Sequence, residues 1–150
     1  MTPNPEHLPK PPVHRTARDL MTPVAHGIGE DETVLRAAQQ MIELGVGALP
    51  ICAGDGRVRG MLTDRDIVAA LAGGKNLDTT LAGQLAQGEV VTIGADDDTN
   101  RILRTMTAHK VRRLPVIDGR RLIGIVALAD VARVLPHSQV GRLLDALSRD

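Results

Sequence analysis

The chain repeats itself, and this repeat constrains its fold more than any single motif does. The segment "GVGALPICAGDGRVRGMLTDRDIVAAL" at 45–71 is matched by "KVRRLPVIDGRRLIGIVALADVARVL" at 110–135, at an offset of 64 to 65 residues. Each unit covers about half of the 150 residues, which is too short to bury a large core alone. We therefore predict two similar units that pack face to face about a pseudo-twofold axis.

Each unit shows the same predicted order of elements, β-α-β-β-α. The helix of the first unit carries apolar residues at i, i+3, i+4, i+7 and i+8 from Val34, which places them on one helix face. Glycine and aspartate between two apolar runs indicate a hairpin in each unit. The predicted elements are strands around 24–28 and 90–93, hairpin turns at 54–56 and 118–119, and last helices at about 64–72 and 128–135. The predicted fold class is α/β (α+β).

Composition shifts along the chain indicate its organisation. The first 15 residues hold five of the nine prolines and have no periodicity, as is typical of a disordered arm. The stretch "GGKNLDTT" ends the first unit, and the tail has leucines and a valine at helical spacing. The predicted division is a proline-rich arm at 1–15, a first unit at 16–72, a linker at 73–80, a second unit at 81–136 and an amphipathic helix at 137–150.

Composition and charge exclude several classes of function. The formal net charge is zero and the chain has no Phe, Tyr or Trp, so neither a basic face nor an aromatic stacking platform for nucleic acid is expected. No apolar run is long enough to cross a bilayer, and no signal peptide is recognisable at the start. The single cysteine, Cys52, lies in an apolar run and suits a reducing compartment. We predict a cytoplasmic protein without a membrane or nucleic-acid partner.

Five segments together resemble the marker segments of CBS domains. They are, in order, "RDLMTP", "MIELGVGALPI", "GMLTDRDIV", "VRRLPVID" and "GIVALADV", and the resemblance extends over residues 16–136. Two such domains in tandem are called a Bateman module, and small proteins of two CBS domains, some linked to bacterial hypoxic or stress responses, are the most similar. The resemblance implies a regulatory module that binds an adenosine compound such as AMP, ATP, NAD or S-adenosylmethionine, and disk-like dimers of modules.

The Thr63-x-x-Asp66 turn between a strand and a helix allows two interpretations. It closely resembles a capping box, in which the hydroxyl accepts a backbone N–H and the acid reaches back to the cap residue. The second unit keeps Asp130 but has Ala127 in place of the threonine, so the acid does not require a capping hydroxyl. A carboxylate also accepts the hydroxyls of a ribose, and a helix N-terminus suits a phosphate. In the CBS family the matching residues do this, which favours the ligand.

Two arginines, Arg112 and Arg113, precede a strand of the second unit. Because neighbouring strand residues point to opposite faces, only one is expected to enter a given cleft. The family resemblance implies that basic residues here reach phosphates across the cleft from Thr63 and Asp66. The reciprocal cleft would pair Ala127 and Asp130 with the uncharged 47–48, so it suits an uncharged adenosine-like ligand better than a nucleotide phosphate.

These features predict a non-enzymatic sensor of an adenine nucleotide that signals to an unknown effector protein. No nucleophile or acid–base constellation is apparent, the histidines lack zinc-like spacing, and neither a metal nor a covalent cofactor is expected. The alternative is an interaction or scaffold protein of the CBS fold with no bound nucleotide. The helices after both ligand turns carry surplus apolar residues, which favours a homodimer built from helices of both units. These residues are Ile67, Val68, Leu71, Val131, Val134 and Leu135.

Overall fold

A computed structural model of the chain describes residues 15–24, 27–86 and 90–148. The predicted arm at 1–15 lies outside these residues except for Arg15. The helices are α1 (Ala17–Leu20), α2 (Val34–Leu44), α3 (Asp64–Ala72), α4 (Ala82–Leu85), α5 (Thr99–His109), α6 (Leu128–Ala132) and α7 (His137–Ser148). The strands are β1 (Thr22–Pro23), β2 (Ile28–Gly29), β3 (Ala48–Cys52), β4 (Val58–Thr63), β5 (Ile93–Gly94), β6 (Arg113–Asp118) and β7 (Arg121–Ala127).

The predicted repeat is confirmed as β2-α2-β3-β4-α3 followed by β5-α5-β6-β7-α6. In each unit the first strand pairs in parallel with the second, which forms an antiparallel hairpin with the third. The two hairpins shift register at equivalent places, after Ile51 and after Val116. The fold is therefore the mixed α/β arrangement expected from the sequence, present twice.

The outer strands begin later than the predicted 24–28 and 90–93. The backbone N–H of Val24 donates to the carbonyl of Ile123 in β7, so this residue joins the second unit rather than β2. Both strands also end after two residues, because Glu32 and Asp97 accept the N–H groups of Gly29 and Gly94 and start a turn. The last helix of the second unit ends at Ala132 instead of 135, where Pro136 follows a tight turn.

Matched caps fix the ends of the two long helices, α2 and α5. The Thr33 hydroxyl accepts the N–H of Arg36 at 3.1 Å, and the Asp98 carboxylate accepts that of Arg101 at 2.9 Å. Both helices end at a residue with positive φ, which is Gly45 in the first unit and a lysine in the second. The acidic run at 96–98 thus starts a helix, as expected, and the caps align α2 with α5 residue by residue.

Two aliphatic cores, one in each unit, hold the fold together. The first contains Ile28, Val34, Ala37, Met41, Leu49, Ile51, Leu62, Ile67 and Ala82. The second contains Ala17, Ile93, Ala95, Ile102, Met106, Leu114, Val116, Val126, Leu128 and Val131. Branched aliphatic side chains fill both interiors, as the absence of aromatic residues requires. Each core also includes one alanine from a segment that precedes the other unit in the sequence.

The two units exchange the short segments that precede them. Strand β1 extends the sheet of the second unit, where Thr22 pairs with Ile125, although residues 16–23 stand before the first unit. In return the N–H of Ala82 in α4 donates to the carbonyl of Glu32 in the first unit. The predicted linker at 73–80 also packs on the first unit, since Leu77 lies against its core. These crossings connect the two units.

Helix α7 lies where the amphipathic helix was expected. It contacts α5, and Leu147 packs against the second core. No helix in the described part of the chain is long and apolar enough to cross a membrane.

Candidate functional site

A cleft lies between the end of β4 in the first unit and the start of β6 in the second. Its volume is about 320 Å³. We call it the arginine cleft; its walls are Gly60, Met61, Thr63, Val91, Val111, Arg112 and Arg113. Three predicted site residues, Thr63, Arg112 and Arg113, therefore lie along one cleft although 49 to 50 positions separate them in the chain.

The repeat explains why these residues meet. In each unit the first N–H of the helix after the hairpin donates to the residue before the hairpin, Asp64 to Gly47 at 2.9 Å and Leu128 to Arg112 at 2.8 Å. The start of each hairpin is thus held beside a helix N-terminus. The first unit has glycine at this position and the second has arginine, so positive charge is supplied to the cleft from one side only.

The side chain of Arg113 reaches across to the first unit. A Cβ atom built on Gly47 would lie 3.7 Å from its Nη2 and 3.1 Å from an oxygen of Asp64. The missing side chain of Gly47 therefore leaves room for the guanidinium beside the N-terminus of α3. The sequence pattern identified Gly47 only as an uncharged position and did not predict that it shapes the cleft.

Both arginines are among the residues that line the cleft, although the alternation of faces along a strand predicted that only one would enter it. Arg112 precedes the first residue of β6, and the alternation of faces applies only within a strand. Both side chains are exposed, and among the residues that the structure describes no carboxylate lies within ion-pair distance of either. Two arginines without an ion-pair partner on the wall of one cleft offer hydrogen-bond donors suited to an anion with several oxygens.

The aliphatic walls were not predicted as site residues. Met61 and Thr63 lie on one face of β4, while Leu62 between them is fully buried in the core. Period-2 alternation in "GMLT" was the signal available for Met61, since it shares the face of Thr63. Val91 and Val111 come from irregular segments before β5 and β6, where no period marks the direction of a side chain.

Asp66 forms the capping box that the sequence suggested. The N–H of Thr63 donates to Asp66 Oδ2 at 2.9 Å, and the N–H of Asp66 donates to Thr63 Oγ1 at 3.1 Å. The carboxylate does not line the arginine cleft. It borders a second space of about 380 Å³, the Asp66 hollow, which is lined by Met61, Asp66, Ala69, Ala70, Lys75 and Leu85. Met61 borders both spaces, so a molecule that touches Asp66 and the arginines must pass over it.

Asp130 explains why the acid persists where the threonine is absent. The N–H of Ala127 donates to Asp130 Oδ2 at 2.8 Å, so half of the capping box forms without a hydroxyl. Its side chain is 15% exposed and lies 3.6 Å from Arg133. The structure thus agrees with the expectation that the acid does not require a capping hydroxyl, because the carboxylate caps α6 by itself.

The same device recurs at the two short helices. Asp19 accepts the N–H of Thr16 at 3.0 Å, and Gln84 accepts that of Leu81 at 3.0 Å. The hydrogen bonds from Thr16 hold the pKa of Asp19 below its usual value. In four turns of the fold, the side chain of the third helical residue thus accepts the backbone N–H of the residue before the helix. Helix capping alone therefore accounts for Asp66 and Asp130.

No metal centre is apparent in the described part of the chain. No group of three or more His, Cys, Asp or Glu side chains is placed to hold an ion there. His7, His14, His26 and the side chain of His137 fall outside the described residues, so the prediction that the protein binds no metal stays a prediction.

The family model for the CBS domain matches residues 17–73 and 82–137. The chain belongs to the CBS-domain family. Both matches cover a β-α-β-β-α unit together with the short helix before it, in agreement with the recurring turns described above. The predicted tandem CBS fold is confirmed.

Known relatives share both the sequence and the fold of this CBS protein. Hypoxic response protein 1 of Mycobacterium tuberculosis is 46% identical over 133 residues, which cover 88% of this chain and 93% of that protein. A crystal structure of Hypoxic Response Protein I with two coordinated zinc ions matches with a TM-score of 0.73 and 47% identity over 81% of this chain and all of that one. The crystal structure of CBSX2 in complex with AMP matches with a TM-score of 0.65 and 26% identity, covering 85% of this chain and 98% of that one.

Proposed function

We propose that this CBS pair is a regulatory module that binds one adenine nucleotide in the arginine cleft and transmits its occupancy to an effector protein. The observation that carries the proposal is the meeting of Arg112 and Arg113 with Thr63 across the space between the units. A related CBS protein, CBSX2, has been crystallised with AMP, which supports the ligand class.

The phosphate end of the ligand is assigned to the two guanidinium groups. Both arginines are exposed and line the same cleft as Thr63, and the Arg113 guanidinium lies near the N-terminus of the nine-residue helix α3. Guanidinium forks are the donors that phosphate oxygens prefer, and they carry this assignment because the first three N–H groups of α3 already donate to Gly47, Asp64 and Thr63. A nucleoside that lacks the phosphate loses this set of contacts, so the proposal separates AMP from adenosine.

The nucleoside end is assigned to the aliphatic walls and to Asp66. Met61, Val91 and Val111 offer flat apolar surface for a base, and the cleft volume of about 320 Å³ lies in the range of small-molecule sites. Asp66 uses Oδ2 for the cap, which leaves Oδ1 for the hydroxyls of a ribose that lies over Met61. The same carboxylate then serves both the helix and the ligand.

The reciprocal cleft is proposed to bind no nucleotide. Gly47 and Ala48 stand where the other unit has two arginines, and Asp130 is mostly buried in its cap beside Arg133. One charged site per chain follows. Binding in the space between units gives the ligand a means to alter how the units pack, which is the output that a module without catalytic groups can offer.

A scaffold function without a nucleotide is the second candidate. It is favoured by one observation, the engagement of both Asp66 and Asp130 in helix caps, because a cap alone accounts for these acids. In that case the arginines would contact the surface of another protein.

Ligand-dependent unfolding separates the two candidates. Thermal unfolding with AMP, ADP, ATP, NAD and S-adenosylmethionine, followed by calorimetry, should give a raised Tm and one site per chain for at least one of them. Unchanged melting with every compound would leave the scaffold function. Two equal sites per chain would contradict the assignment of charge to one cleft.

We further propose that the module acts in the cytoplasm as a homodimer. Apolar residues on the helices after the ligand turns support the dimer, since Val68 and Leu71 are exposed. Light scattering of the purified protein tests this, and a monomer at all concentrations would contradict it.

A further inference from the structure

A second cavity is lined by residues from the hairpin turns of both units. Its volume is about 560 Å³, within the range of small-molecule sites. We call it the hairpin cavity; its walls are Gly27, Gly29, Cys52, Ala53, Asp55, Gly56, Arg120, Arg121 and Leu122. Nothing in the proposed nucleotide site uses these residues.

The hairpin cavity and the arginine cleft lie at opposite ends of the same strands. Strand β4 starts at Val58, next to the hairpin turn, and ends at Thr63 in the arginine cleft. A six-residue strand is about 17 Å long. The two spaces share no wall residue, so a ligand of one does not occupy the other.

Two adjacent arginines give the hairpin cavity its positive charge. Arg120 and Arg121 follow the turn of the second hairpin, and both are exposed. Within residues 15–24, 27–86 and 90–148, no acid lies within ion-pair distance of either one. Both guanidinium groups therefore have hydrogen-bond donors to offer to a carboxylate or a phosphate.

The acids of the two hairpin turns have other partners. Asp118 is the register partner of Arg121, but its carboxylate pairs with Arg18 of α1 at 3.1 Å. Asp55 lies 3.3 Å from Arg57 and accepts its backbone N–H at 3.0 Å. The wall of the cavity thus has two positive charges and one negative charge, and Arg57 already balances the negative one.

The first hairpin shows that the repeated fold does not require these unpaired arginines. Arg57 holds the position of Arg121 there and is paired with Asp55. Arg59 is paired with Glu30 at 3.3 Å, and the second unit has Ile123 in its place. The uncompensated charge is therefore specific to the side of the cavity that the second unit provides.

The remaining walls suit a molecule with a carbon skeleton. A Cβ atom built on Gly27 would overlap the carbonyl of Pro50 and lie 2.9 Å from Cys52 Sγ, so only backbone fits at this position. Cys52, which is half-buried, and the buried Leu122 add apolar surface. A bare inorganic ion would leave this surface without a contact, whereas an organic anion covers it.

We propose that the hairpin cavity binds a small organic anion that carries at least two carboxylate or phosphate groups. Arg120 and Arg121 hold the charged groups, and the carbon skeleton lies against Cys52 and Leu122. The inference does not depend on nucleotide binding in the arginine cleft, because the two spaces have no residue in common.

Calorimetry at constant ionic strength tests the proposal with two probes, citrate and 3-phosphoglycerate. The Arg112→Ala, Arg113→Ala variant is used beside the wild type, since it removes the charges of the arginine cleft and leaves the hairpin cavity intact. Both proteins should bind at least one probe, and which probe binds more tightly identifies the preferred charged group. If neither probe binds, the proposal is overturned.

Two further changes in the same variant locate the bound probe. Adding Arg120→Ala with Arg121→Ala should weaken its binding by about tenfold or more, because charge-assisted hydrogen bonds are lost. The matched control adds Arg101→Ala with Arg104→Ala, two exposed arginines outside the cavity, and should leave the affinity unchanged. Equal affinities with and without Arg120 and Arg121 would overturn the proposal, as would an equal loss in the control.

The single cysteine reports on the occupancy of the cavity. Bound probe should slow the reaction of Cys52 with N-ethylmaleimide, a neutral reagent, and this protection should vanish with Arg120→Ala and Arg121→Ala. Asp55→Asn keeps an oxygen for the N–H of Arg57 but removes the negative charge of the wall, so it should strengthen binding. An unchanged rate at saturating probe, or weaker binding by Asp55→Asn, would contradict the assignment. AMP affinity should stay at the wild-type value in the Arg120→Ala, Arg121→Ala variant, which separates failure of this site from failure of the nucleotide site.

Discussion

Two alanine variants, Asp66→Ala and Asp130→Ala, should rank in opposite orders for stability and for nucleotide affinity. Asp130→Ala should lose more folding stability, and Asp66→Ala should lose more affinity for the nucleotide. Asp66 accepts one backbone N–H and is exposed, so its loss should cost about 1 kcal/mol of folding free energy. Asp130 is mostly buried and also contacts Arg133, so its loss should cost more, about 1–3 kcal/mol. For a domain of this size, 1 kcal/mol corresponds to about 2–4 °C in Tm.

Affinity should follow the reverse order. Loss of a charged acceptor for the ribose should weaken AMP binding by about 1.5–3 kcal/mol for Asp66→Ala, or roughly 10- to 150-fold. Asp130→Ala should leave AMP affinity near that of the wild type, since no arginine pair faces it. Urea unfolding and calorimetry measure the two quantities, and Asp31→Ala removes an exposed acid as the matched control. Equal losses of affinity in both variants, or an undiminished stability of Asp66→Ala, would refute the reasoning.

Three further predictions concern the fold. Gly124→Ala should destabilise the protein by about 1–3 kcal/mol in urea unfolding, because its Cβ would lie 2.5 Å from Met21 Sδ; Gly54→Ala, which meets nothing within 4 Å, should be nearly neutral. Burial raises the pKa of Cys52, so its thiol should react with a disulfide reagent at pH 8 more slowly than in the unfolded chain, and equal rates would contradict this. Because hydrogen bonds lower the pKa of Asp19, its contribution to stability is present above its ordinary pKa of 3.8 and lost as pH falls through the lowered value; Asp19→Asn should flatten stability against pH there, and an unchanged slope would contradict it.

The repeat made most of the fold predictable. Helical periodicity from Val34, the hairpin glycines and the acidic helix start at 96–98 are local signals, and the structure places each where it was expected. The exchange of residues 16–23 and 81–86 was not predictable, because two similar units offer each segment two similar sheets. Which sheet a segment joins depends on tertiary packing, as in the pairing of Thr22 with Ile125.

The site was predictable in its residues more than in its geometry. Thr63, Arg112 and Arg113 were selected from the sequence and lie on one cleft. The separation of Asp66 from the arginines by Met61 depends on side-chain directions at a strand end, which no local pattern determines. The sequence also does not show which apolar residues of α3 are exposed. Ile67 is buried and its neighbour Val68 is exposed, although both are aliphatic.

AMP and adenosine titrations of the Arg112→Ala, Arg113→Ala variant test the central claim most directly. The matched control, Arg104→Ala with Arg120→Ala, removes two exposed arginines that do not line the arginine cleft. The account predicts that the cleft variant loses AMP affinity by about 1.5–3 kcal/mol or more while its adenosine affinity and the control stay at wild-type values. Unchanged AMP affinity in the cleft variant, or an equal loss in the control, would contradict it.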